Sequence, residues 1–110
     1  MRLYDLRTEY RVNPIGLTAK TPRFSWKIES QEKDTLQTAY EIHVTDEKGK
    51  LVWNSGKRES DQSVLIPYEG EALASETLYT VQVSVADNHG NTESVEGTFE
   101  TGIFDNTEFK

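Results

Sequence analysis

The chain has 110 residues, 12 Lys and Arg against 19 Asp and Glu, a net charge of −7 and no cysteine, so disulfides, thiolate metal sites and cysteine nucleophiles are excluded together. Residues 59–110 carry 11 acidic side chains and Lys110 as their one base, a balance that repels phosphate backbones and anionic bilayers and argues against nucleic-acid or membrane partners. Eight Leu, five Ile, eight Val and four Phe suffice for one folded domain; no apolar run approaches the ~20 residues of a membrane span and Met1 to Tyr10 lacks a signal-like apolar stretch, so a soluble chain is expected, cytoplasmic or exported.

The chain begins with a weakly alternating run from Leu3 to Tyr10. Pro22 then precedes Arg23 to Glu29, where Phe24, Trp26 and Ile28 share one face and Ser25, Lys27 and Glu29 the other, the period of a half-buried strand. Tyr40 to Thr45 repeats the pattern, with Tyr40, Ile42 and Val44 inward and His43 outward. Asp46-Glu47-Lys48-Gly49-Lys50 reads as a hairpin turn into a short run at Lys50 to Trp53. A further weak run, Ser63 to Ile66, stops before Pro67, which cannot donate to a ladder. Tyr79 to Val85 alternates most cleanly and is the expected central strand. Asp87-Asn88-His89-Gly90-Asn91 is a second hairpin turn, and Val95 to Thr101 closes the series.

About seven short strands punctuated by turns predict an all-β, seven-stranded antiparallel β-sandwich. Its expected core includes Trp26, Ile28, Tyr40, Ile42, Val44, Val64, Ile66, Leu73, Tyr79, Val81, Val83 and Val85. Residues 1–102 are assigned to the sandwich. Residues 103–110 hold Phe104 and Phe109 without alternation and read as the start of a linker to a following domain.

Candidate chemistry is sparse. Paired carboxylates across a cleft are what glycoside hydrolysis requires, and Glu59 and Asp61 are the pair placed between strands, but a sandwich filled by its own side chains leaves little room for a desolvated acid. His43 and His89 have no second histidine at ligand spacing and no evident acid to orient them, so neither a metal nor a general-base role is expected. The Asp87–Asn91 loop has oxygen donors but lacks the later bidentate Glu of a calcium loop. No nucleophile-elbow, phosphate-loop or dinucleotide-binding pattern occurs, and no cofactor is expected. Trp53, Tyr4, Tyr10 and Tyr68 lie on edge-like segments where a ring either covers the end of the sandwich or faces solvent; Trp53 is the candidate sugar contact, with packing the favoured role for all four.

Leu73 lies six positions ahead of Tyr79 in LASETLYTVQV, which resembles the corner and sixth strand of fibronectin type III and immunoglobulin-like domains, where the tyrosine hydroxyl caps nearby backbone. More extensively, LRTEYRVNPIG from Leu6, TPRFSW from Thr21, QTAYEIHV from Gln37, VWNSGK from Val52, ESDQS from Glu59 and FETG from Phe99 follow one another in order. Together they resemble the N-terminal fibronectin-like domain of bacterial α-L-rhamnosidases of glycoside hydrolase family 78. That resemblance implies a parent enzyme that removes terminal α-L-rhamnose from glycosides with inversion, using carboxylic acids on a separate (α/α)₆ barrel. No catalytic residue carries over to these 110 residues, so an accessory domain packed on neighbouring domains is expected, the alternative being a carbohydrate-binding module.

Overall fold

A computed structural model describes residues 2–17, 21–31 and 34–103. The expected linker therefore lies, from residue 104 onward, outside the described residues. Seven strands follow in order: β1 Arg2–Thr8, β2 Arg23–Glu29, β3 Gln37–Thr45, β4 Leu51–Asn54, β5 Ile66–Pro67, β6 Leu78–Asp87 and β7 Thr92–Glu100, and the described residues contain no helix. They form two antiparallel sheets, a smaller one ordered β1-β2-β5 and a larger one ordered β4-β3-β6-β7. The expected sandwich is the architecture found.

The hairpins follow from their turn chemistry. Asp46 and Lys50 close one turn through an Asp46 N–H to Lys50 carbonyl bond of 2.9 Å, and Asp87 and Asn91 close the other at 3.0 Å. Gly49 and Gly90 supply the positive φ that each turn needs, 84° and 82°. The Asp87 carboxylate accepts the N–H groups of His89 at 2.9 Å and Asn91 at 2.8 Å. Burial pushes its pKa up, but these amides outweigh that and hold it below the usual aspartate value.

β6 is the central strand of the larger sheet, and its register fixes the core. Tyr79, Val81, Val83 and Val85 stand opposite Phe99, Gly97, Val95 and Glu93 on β7, while Val81, Val83 and Val85 face Val44, Ile42 and Tyr40 on β3. From the smaller sheet Phe24, Trp26 and Ile66 meet this surface, all buried. Rings meet across the gap, Phe24 lying 6.3 Å from Trp53 and 6.0 Å from Phe99 and Trp26 meeting Tyr40 edge-on at 5.4 Å, while within the larger sheet Tyr79 stacks on Phe99 at 5.1 Å.

Two calls are corrected. Val64, expected in the core, is 59% exposed. Leu65 adopts a φ of 55° and gives its N–H to the Ser25 hydroxyl at 2.8 Å; this left-handed residue breaks the alternation, turns Val64 outward and delays the strand to Ile66–Pro67. Pro67 thus lies inside a strand, which is tolerated because β5 is a two-residue edge strand paired on one side with β2. In β1, Asp5 at φ 55° forms a bulge that shifts the parity between Tyr4 and Arg7, so Leu3, Leu6 and Thr8 all point inward. The Asp5 carboxylate holds the bulge against Arg7 at 2.9 Å and Lys27 at 3.3 Å.

Three polar clamps tie connections to this core. The Trp26 indole donates to the Gln37 amide oxygen at 2.9 Å, and the Gln37 amide nitrogen donates to the carbonyls of Ser60 at 3.0 Å and Gln62 at 2.8 Å. The Ala74 N–H donates to the Tyr79 hydroxyl at 2.8 Å, the tyrosine corner expected from the sequence. Glu9 grips Arg23 through both carboxylate oxygens, each at 2.9 Å from a guanidinium nitrogen, and accepts the Arg23 backbone N–H at 2.7 Å. The arginine holds the Glu9 carboxyl below its ordinary pKa of 4.5.

Gln37→Leu keeps the volume but strips the acceptor from the Trp26 N–H and the donor from two carbonyls, so urea unfolding should show a loss of ~2–4 kcal/mol; a loss below ~1 kcal/mol would mean the clamp is dispensable. Because the folded-state pKa of Glu9 is depressed, its contribution is complete above the ordinary value of 4.5 and fades as pH falls through the lowered one. Glu9→Gln should therefore melt a few degrees below the wild type at pH 7, with the gap closing toward pH 2–3; a gap independent of pH would remove the ion pair from the account.

Candidate functional site

The residues named as candidates do not converge. Glu59 and Asp61 lie in the connection between β4 and β5 and both are exposed. A general acid works at raised pKa in a desolvated pocket, and these side chains sit in water. Tyr68 is buried, its hydroxyl donating to the Glu71 carbonyl, and burial pushes its pKa up to about 12. Tyr4 is half-buried with the Arg2 guanidinium 5.1 Å from its ring centre. Tyr10 stands out in solvent.

Trp53 occupies an inward position of β4 opposite Val44. The residue is 7% exposed, its ring stacked on Phe24, met edge-on by Tyr68 at 5.3 Å and covered by the Arg58 guanidinium at 5.8 Å. That packing leaves no open face on which a sugar ring could stack. The outward positions of β6 and β7 carry Thr80, Gln82, Ser84 and Ala86 beside Thr92, Ser94, Glu96 and Thr98, a flat polar surface without a ring.

One arrangement was missed. His43 projects from the outer face of β3 with Glu41, two residues earlier, beside it, and its Nε2 is 2.7 Å from the Glu41 carboxylate. The expectation that His43 lacks an acid to orient it is therefore corrected. The signal was available, since strand period places i and i+2 on one face. Cross-strand neighbours are Gln82 and Asn54 for His43, and Ser84 for Glu41. A shallow, open depression of about 230 Å³ adjoins the pair, lined by Glu41, Lys57, Ser84, Ala86 and Thr92. It is smaller than ordinary small-molecule sites and unscreened from water. Among the described residues no hydroxyl is bonded to the imidazole to serve as nucleophile.

His89 is exposed in the β6–β7 turn, and the carboxylate of Asp87 that organises this loop is committed to backbone amides. The loop is a turn, as its sequence suggests. Among the described residues no group of three or more His, Cys, Asp or Glu is placed to hold a metal ion. None of the described helical content, which is nil, could cross a membrane.

The family model described as the Rha78A-like N-terminal immunoglobulin domain matches residues 3–105. An α-L-rhamnosidase of Streptomyces avermitilis is 38% identical over 109 residues, covering 94% of this chain and 11% of its own length. One from Formosa agariphila is 37% identical over 101 residues, covering 84% of this chain and 11% of its own. Among solved structures, an α-L-rhamnosidase from Dictyoglumus thermophilum superposes with a TM-score of 0.86 at 36% identity, over 96% of this chain and 13% of that one. The chain thus spans about a tenth of the length of the curated relatives it matches. With a family match over nearly all its residues, on a sandwich whose strand order and tyrosine corner are of immunoglobulin type, the chain belongs to the Rha78A-like N-terminal immunoglobulin domains.

Proposed function

We propose that this chain is a non-catalytic accessory domain of an α-L-rhamnosidase, and that the parent enzyme hydrolyses terminal α-L-rhamnose from glycosides with acids carried elsewhere. The observation that carries the reading is one of coverage: relatives bearing that name match this chain over most of its length while it accounts for about 11% of theirs. The chemistry of the domain is in keeping with it. The inter-sheet space is filled by Phe24, Trp26, Ile42, Ile66 and Phe99, and the candidate acids Glu59 and Asp61 lie in solvent. The role left to such a body is mechanical: it packs on neighbouring domains and stabilises them, with residues 103–110 beginning the connection to the next. The carbohydrate-binding alternative, which rests on Trp53, draws no support from a ring packed between Phe24 and Tyr68.

The test is deletion of residues 1–102 from the parent enzyme. The truncated protein should melt several degrees lower while the fraction that remains folded still cleaves an aryl α-L-rhamnoside, and the 110-residue chain alone should cleave none. Unchanged melting would remove the stabilising role. Hydrolysis by the isolated chain would make it an enzyme, and titration heat with rhamnosides that disappears in Trp53→Ala would restore the binding module.

A further inference from the structure

Every sheet edge offers unpaired N–H and C=O groups to a further strand, and edges are blunted by charge, proline, bulges or a covering segment. Among the described residues the two sheets have four edge strands. β1 carries Arg2, Asp5 and Arg7 with its bulge at Asp5, and β5 is two residues long and ends in Pro67. β7 carries Glu93, Glu96 and Glu100 and is covered by residues 13–17: the Glu100 N–H donates to the Pro14 carbonyl at 2.9 Å, the Leu17 N–H to the Glu100 carbonyl at 2.9 Å, and the Asn13 side chain accepts the Thr98 N–H at 3.0 Å. β4, Leu51-Val52-Trp53-Asn54, has neither charge nor proline.

What stands against β4 is the chain that follows β5. The register with β3 passes over Val52, and the Val52 carbonyl accepts the Glu71 N–H at 3.0 Å. The Tyr68 hydroxyl donates to the Glu71 carbonyl at 2.5 Å, closing residues 68–71 into a loop, and its ring meets Trp53 edge-on at 5.3 Å. Exposed ion pairs hold the flanks, Lys50 with Glu71 at 3.2 Å and Arg58 with Glu69 at 2.7 Å. Pairs of that kind contribute little, so the fit rests on Gly70. A Cβ there would lie 2.5 Å from the Val52 carbonyl oxygen and would overlap the Trp53 Cβ, and neither atom is the far end of a flexible side chain that could swing away. Glycine is required because the loop lies directly on the strand.

We infer that residues 68–71 are a cap built into the fold, occupying the place of a further strand beside β4, and that this cap stops two copies of the chain from pairing through that edge. A second copy is the partner this strand suits. In its central register, antiparallel pairing of β4 with itself about a two-fold axis sets Leu51 against Asn54 and Val52 against Trp53, so no like charges meet. Self-pairing of β7 would instead bring its glutamates together. The inference concerns the isolated chain and stands apart from the accessory-domain reading.

Sedimentation velocity of the 110-residue chain and its variants supplies the test. The wild type should run as a monomer. Gly70→Ala, which forces the cap off the strand, should retain its β-sheet circular dichroism and form dimers whose fraction rises with concentration. Adding Leu51→Lys, a charge placed on the uncovered edge, should return that variant to monomer. Where Gly70→Ala fails to fold, Glu71→Pro, which takes the N–H from Val52 without crowding Trp53, should associate in the same way. In the wild type the Glu71 amide should exchange with solvent at least about tenfold more slowly than in an unstructured peptide, by virtue of its bond to Val52. A folded Gly70→Ala or Glu71→Pro that stays monomeric overturns the inference; so does association that survives Leu51→Lys, or a Glu71 amide that exchanges freely in the wild type.

Discussion

The fold depends on the ring of Phe24. It belongs to the smaller sheet, yet its neighbours at 6.3 and 6.0 Å, Trp53 and Phe99, come from opposite edges of the larger one. A fully buried phenylalanine at that point fastens β4 and β7 to β2, although neither pairs with it. Trp26 does the same two residues on, against Tyr40 of β3. Sheets hold themselves together by hydrogen bonds, but two sheets hold each other only by such interdigitation, here dominated by aromatic area. Where those rings sit, no cavity can be kept. The candidate acids Glu59 and Asp61 lie outside that interior, exposed to water.

The surface of the molecule is uneven in its chemistry. Its two large faces differ. The outer face of β3, β6 and β7 is a lawn of Thr, Ser, Gln and Glu around the Glu41–His43 pair, suited to solvent. The segment from Glu9 to Leu17 is the reverse, a turn holding Glu9, Tyr10 and Asn13 at positive φ with Tyr10, Val12 and Ile15 exposed. Strain of this kind survives only where surrounding bonds over-determine it, and here Glu9, Arg23, Arg7 and Asn13 do so.

Sequence periodicity disclosed those parts of the fold in which the backbone obeys its regular period. β2 matched residue for residue, the inward sets of β3 and β6 were legible from Tyr40 and Tyr79 onward, and Gly49 and Gly90 marked their hairpins. It failed where one left-handed residue resets parity. Leu65 did so to Val64, and Asp5 did so in reverse, bringing Leu6 and Thr8 inward beside Leu3. Neither residue is a glycine, so nothing local announces the turn. The burial of Trp53 needed knowledge of which side of a four-residue strand faces the core, and too few alternating positions were present to tell. The Glu41–His43 contact was the reverse case, present in the strand period, which sets residues i and i+2 on one face. The bonds between residues 13–17 and β7 join positions more than eighty residues apart and leave no periodic trace.

The central claim is that the inter-sheet space is completely occupied by the domain's own side chains, and the most direct measurement is equilibrium urea unfolding of Phe24→Ala. A filled interior that cannot collapse around the missing ring predicts a loss of ~3–5 kcal/mol with an unchanged denaturant slope. A loss below ~1 kcal/mol would mean that the space between the sheets tolerates a hollow of ring size, and the claim would be contradicted.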